Sequence, residues 1–189
     1  MLLGEIIRET ASENREIFSL AQRLLNLYQK NPQREYNLSD IDTSGMFNNV
    51  KVKFDARYDR SLYNPRTKEV LIKLGGGDLK SELIHELQHA LDDIKSQGKF
   101  RNEPGEYLTR QSEVNARLSQ AMADIQSALG KARVRNIDWQ NPRMREAVER
   151  LIASYLKKHQ LTPQQGIDSK RYQRLLKRIY SYVLELQRR

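Results

Sequence analysis

The sequence predicts an α+β fold, mostly helical, with a small three-stranded sheet. Apolar residues recur at helical spacing in several long stretches, whereas strict apolar–polar alternation is confined to one block between residues 50 and 74. Turn signals fall at the joints: Asn31-Pro32, Asn64-Pro65, Gly75-Gly76-Gly77, Pro104-Gly105 and Thr162-Pro163.

The first helix is expected over residues 5–30. Its stripe is Ile6, Ile17, Leu20, Leu24 and Tyr28, flanked by Ile7, Phe18, Ala21, Leu25 and Leu27, and Asn31-Pro32 ends it. Residues 33–49, rich in Asn, Asp and Ser, read as a loop. Val50-Lys51-Val52-Lys53-Phe54 alternates as a half-buried strand does. Arg57 to Tyr63 reads as a second strand, Asn64 to Thr67 as a turn, and Glu69 to Leu74 as a third strand running into the triple glycine.

A second helix follows from Asp78 to Ile94. Leu79, Leu83, Ile84, Leu87, Leu91 and Ile94 form its apolar stripe, and Glu82, His85, Glu86, His89 and Asp93 lie along a different, polar face. Asp78 suits the N-cap and Gly98 the stop. Within this helix residues 85–89 read His-Glu-Leu-Gln-His. Positions i and i+4 are neighbours one turn apart, so both imidazoles can reach one metal ion while Glu86 projects beside them. Only three histidines occur in the chain, and two fall in this pentapeptide. A surface helix with two incidental histidines is the bland alternative; the separate buried and polar faces argue against it.

Catalytic zinc needs a third protein ligand. Asp92 and Asp93 follow too closely on the same helix and suit a supporting role. Glu103 and Glu106 flank the Pro104-Gly105 turn, and the third histidine, His159, lies far off in a basic segment that reads as solvated surface. Glu113 sits on a helix expected over residues 106–129, with Leu108, Val114, Leu118, Met122, Ile125 and Leu129 in its stripe. A loop of about ten residues and an antiparallel return bring it opposite the histidine pair, against the reading of an ordinary solvated glutamate. Glu113 is therefore the favoured third ligand.

His85-Glu86-x-x-His89 followed by Glu113-Val114-Asn115-Ala116-Arg117 resembles the zincin metallopeptidases in their gluzincin form. The run Leu83 to Ala90 also resembles small metallopeptidase-like domains of bacteriophage and mobile-element proteins. The likeness covers residues 65–120 or so. Arg117 stands where some gluzincins place an Asp, and there is no third-histidine extension. The resemblance implies a zincin-like metallopeptidase core over residues 1–130, a sheet beside the active-site helix, and a strand of that sheet that either pairs with extended peptide or only covers the core. It implies Zn²⁺ held by His85, His89 and Glu113, and peptide hydrolysis with Glu86 as general base. Tyr107, with Arg110 and Tyr63 as rivals, is a candidate donor to the oxyanion. Asp92, Asp93 or Asp124 would orient the histidine rings.

The chain of 189 residues can bury a proper core. It has no transmembrane run, no apolar leader and no cysteine, which fits the cytoplasm, that of a host or a virion if phage-encoded, and excludes disulfides and Cys-based metal sites. Charge is uneven: residues 1–130 carry 18 Lys+Arg against 19 Asp+Glu, residues 131–189 carry 15 against 5. The latter read as a basic helical extension packed on the core. Met144, Val148, Leu151, Ile152 and Tyr155 mark one helix; Tyr172, Leu175, Leu176, Ile179, Val183 and Leu186 mark another.

A zinc peptidase acting on peptide or protein substrate is the leading expectation. The alternatives are a catalytically silent phage structural protein of the same fold, and a nucleic-acid-binding protein using the basic C-terminal helices. Those helices are either a docking face for nucleic acid or another acidic partner, or merely solvated. No membrane partner is expected.

Overall fold

The structure, a computed structural model, describes residues 3–32, 34–98, 110–132, 134 and 137–187. Helix α1 (Leu3–Lys30) is followed by β1 (Glu35–Asn37), a 3-10 turn (Leu38–Asp40), β2 (Lys51–Asp55), β3 (Leu62–Asn64) and β4 (Glu69–Lys73). Then come α2 (Leu79–Ser96), α3 (Gln111–Lys131), α4 (Pro142–Lys158), a second 3-10 turn (Pro163–Gln165) and α5 (Ser169–Gln187). The class is α+β, as expected, but the sheet has four strands rather than three, in the order β1-β2-β4-β3. The extra strand, β1, lies in the segment read as loop. Its three residues are too few to show alternation, and only Tyr36 turns inward, its ring edge-on to Phe54.

The chain packs as two compact units. One is residues 14–116; the other is residues 117–189 together with the start of α1 up to Glu13. Charge divides the chain near residue 130, at the end of α3, while packing divides it within that helix.

In the unit of residues 14–116, β2 and β4 pair in parallel, so Val52 stands beside Val70 and Phe54 beside Ile72 on one buried face. Tyr28 of α1 stacks on Phe54 at 4.5 Å. Ile17, Leu20 and Leu24 of α1 and Leu83, Ile84, Leu87 and Leu91 of α2 are buried too, each contributing about 1.5–3 kcal/mol. On the opposite face Lys53 lies 2.6 Å from the half-buried Glu69 and 3.3 Å from the exposed Glu35, pairs of small energetic weight near the surface. The β3–β4 turn is held by Asn64, whose Oδ1 accepts from the Arg66 amide at 3.0 Å.

Helix α2 lies against β4 and β3 and begins where expected. Asp78 Oδ1 accepts from the amides of Lys80 and Ser81 at 3.0 and 3.3 Å. It ends in a Schellman motif: Gln97 takes φ 51°, its amide donates to Ile94 O, and Gly98 donates to Asp93 O. Glu82 closes the triple-glycine turn, accepting from the Gly77 amide at 3.2 Å and from the Ser61 hydroxyl, which itself accepts from the Lys73 amide.

The other unit buries Leu118, Met122 and Ile125 of α3, Val148, Ile152 and Leu156 of α4, and Leu175, Ile179 and Val183 of α5. Asn141 caps α4 by accepting from the amides of Arg143 and Met144. Among the described residues no helix is long and apolar enough to cross a membrane.

Candidate metal centre

Helical spacing on α2 sets His85 and His89 side by side, with Nε2 atoms 3.1 Å apart. Glu113, in the first turn of α3, brings Oε2 to 3.6 Å from His85 Nε2 and 3.4 Å from His89 Nε2. These three residues are the only group of three or more metal-ligating side chains clustered among the described residues. Tetrahedral zinc, with Zn–N and Zn–O bonds of about 2.0–2.1 Å, holds its ligand atoms about 3.3–3.4 Å apart. The observed triangle brackets that spacing, so the residues fit such an ion. The Glu113 side chain is only 3% exposed, and a carboxylate buried that deeply needs compensating positive charge. A divalent cation held among the three atoms would supply it.

Glu86 is buried on α2 between the two histidines in sequence. Burial pushes its carboxyl above the usual range. The nearby His85 and His89, and a hydrogen bond from the Tyr63 amide, pull the other way, and Glu113 adds to the rise. The edge strand β3 thus supplies a main-chain donor to Glu86.

A cleft of about 290 Å³ opens beside this cluster. Glu86 and His89 line it with Arg60, Tyr63, Arg110 and Ser112. Asp92 and Asp93 also reach it, but both are engaged. Asp92 accepts from Gln88 Nε2 at 2.8 Å and from Asn115 Nδ2 at 3.0 Å, and Gln111 donates in turn to Asn115. Asp93 Oδ2 accepts from the Tyr63 hydroxyl at 3.0 Å and from Lys68 Nζ at 2.6 Å. Each therefore ties α2 to a neighbouring element.

Tyr107, Glu103 and Glu106 lie outside the described residues. Of the rival donors, Arg110 lines the cleft, and Tyr63 lines it with its hydroxyl turned to Asp93. Asp124 bonds a different histidine from those expected: it accepts from Lys158 at 2.6 Å and pairs with His159 Nε2 at 2.9 Å. His159, read as solvated surface, has a side chain only 8% exposed. Arg117 donates to Gln160. The sequence reading missed Arg60 and Ser112 in the cleft wall and the amide network around Asp92. The i,i+4 pairs Gln88–Asp92 and Gln111–Asn115 were the available signal for that network.

Among known proteins, no family model, no curated protein and no solved structure matches this chain.

Proposed function

We propose that this chain is a zinc-dependent peptidase of zincin type. His85, His89 and Glu113 hold the ion, and Glu86 is the general base. The observation that carries this reading is the triangle of ligand atoms at 3.1–3.6 Å, with a buried carboxylate beside it at the wall of an open cleft. A structural metal site has no use for that carboxylate or that cleft.

Zinc bound there supplies a Lewis acid that acidifies water to a pKa of about 7 and polarises a carbonyl group. Glu86, held by the Tyr63 amide, takes the proton from the attacking water and returns it to the departing amine. Arg110, which lines the cleft, is the candidate donor to the oxyanion of the tetrahedral intermediate on this reading.

The test combines metal analysis of the full chain with cleavage of a fluorogenic peptide library. About one zinc per chain is expected. Glu86→Gln should keep the zinc and lose cleavage by about 10²-fold or more. Zinc-loaded wild-type protein that cleaves nothing, or a Glu86→Gln variant as fast as wild type, ends this reading.

A further inference from the structure

Helices α4 and α5 handle their charges differently. On α4, basic residues are interleaved with acids one turn away: Arg145 pairs with Glu149 and Arg150 with Glu146. On α5, Lys170, Arg171, Arg174, Lys177 and Arg178 occur with no acidic residue from Ser169 to Leu184.

Three of these cations form a line. Lys170, Arg174 and Lys177 stand at i, i+4 and i+7, all exposed, on the side of α5 opposite the buried Leu175, Ile179 and Val183. Among the described residues none of the three makes an ion pair or a side-chain hydrogen bond. The line spans about 10 Å along the helix.

This arrangement costs stability. Like charges at i,i+4 repel, and at the positive end of the helix dipole Lys170 and Arg171 face only the capping Asp168, which accepts from the Arg171 amide at 2.9 Å. A partner with closely repeated negative charge removes both penalties. Nucleic acid, with one phosphate per about 1.7 Å of duplex axis, presents such charge along the whole line.

We propose that the exposed face of α5, with Lys170, Arg174 and Lys177, is a binding surface for double-stranded nucleic acid. It grips the phosphate backbone without reading bases. The surface is independent of the metal centre, so neither assignment depends on the other.

The test is binding of full-length protein to a fluorescent 20-base-pair DNA duplex across a salt series. The comparison is with a triple variant, Lys170→Gln, Arg174→Gln and Lys177→Gln, and with an α4 control, Arg145→Gln and Arg150→Gln. Circular dichroism checks that each variant is folded. The triple variant should bind at least about tenfold more weakly, with a log–log salt slope shallower by about 2–3, near 0.9 per lost phosphate contact. The α4 control should match wild type, and poly-glutamate should compete poorly. Four results overturn the proposal: no duplex binding by wild type at low salt, an unchanged slope in the triple variant, an equal loss in the α4 control, or poly-glutamate competing as well as DNA, which would assign the face to an acidic protein.

Discussion

His85 and His89 on α2 turn both Nε2 atoms toward the Glu113 carboxylate, while at the end of α4 His159 turns its own Nε2 toward Asp124. Both clusters combine imidazole with a half-buried or buried acid. They differ in what stands opposite the carboxylate oxygen. Asp124 Oδ2 already faces the Lys158 ammonium at 2.6 Å, so the charge is balanced by the chain itself. Around Glu113, three possible ligand atoms converge within 3.1–3.6 Å of one another. Histidine beside an acid is thus not yet a metal site; convergence of several electron-pair donors on one point is what separates a cation cradle from an ion pair.

The comparison is broken most directly by deleting one histidine from each cluster. His89→Ala should weaken zinc affinity by more than about 100-fold in chelator competition, since a direct ligand matters more than the supporting groups whose loss costs about 10–100-fold. His159→Ala should leave metal content untouched. If the two substitutions had equal effects on zinc, the distinction drawn between the clusters would fail.

Glu113→Gln comes next. It preserves shape and an oxygen that can still ligate but removes the negative charge, so affinity should fall clearly yet by less than in His89→Ala in the same titration.

Asp124→Asn should spare metal and cost about 1–2 kcal/mol of stability at neutral pH, read from the urea midpoint. Burial pushes the Asp124 carboxyl up, but His159 and Lys158 outweigh it and hold it below the ordinary carboxylate value. A lowered folded-state value means that stability is fully present above the unfolded value of about 3.9 and is lost as pH falls through the lower, folded one. Wild type and variant should therefore converge in strongly acidic solution. A constant difference across that range would show that the ionised pair is not what stabilises this corner.

The smallest effect is expected for Tyr63→Phe. It removes one hydrogen bond to Asp93, which Lys68 still contacts, so about 0.5–1.5 kcal/mol should be lost. Peptide cleavage should fall only slightly, because the Tyr63 amide that holds Glu86 remains.

Local order was legible where local chemistry decides it. The stripe and cap of α2, the cores of β2 and β4, and the Asn64 turn all follow from spacing and from residues within a few positions. The meeting of Glu113 with the histidine pair was anticipated from helix periodicity and a short connection. β1 was not, because its strand character comes from register against Lys51–Lys53 in β2, a partner 14 to 18 positions away. The second strand is shorter than the Arg57–Tyr63 expectation for the same reason: only Leu62–Asn64 finds ladder partners on β4. Nor did His159 announce its burial, since the acid that accommodates it lies 35 residues earlier.

The bond from Tyr63 to Glu86 has a further effect at the border of the sheet. In an antiparallel ladder, alternate residues direct both main-chain groups away from the partner strand. At Tyr63 the outward amide is occupied by Glu86, and two residues on stands Pro65, which has none to offer. One outward donor of β3 is thereby occupied and the turn that follows offers none at Pro65, so this short strand makes a weaker template for a stray chain. The contact that holds the carboxylate thus also blunts one edge of the sheet.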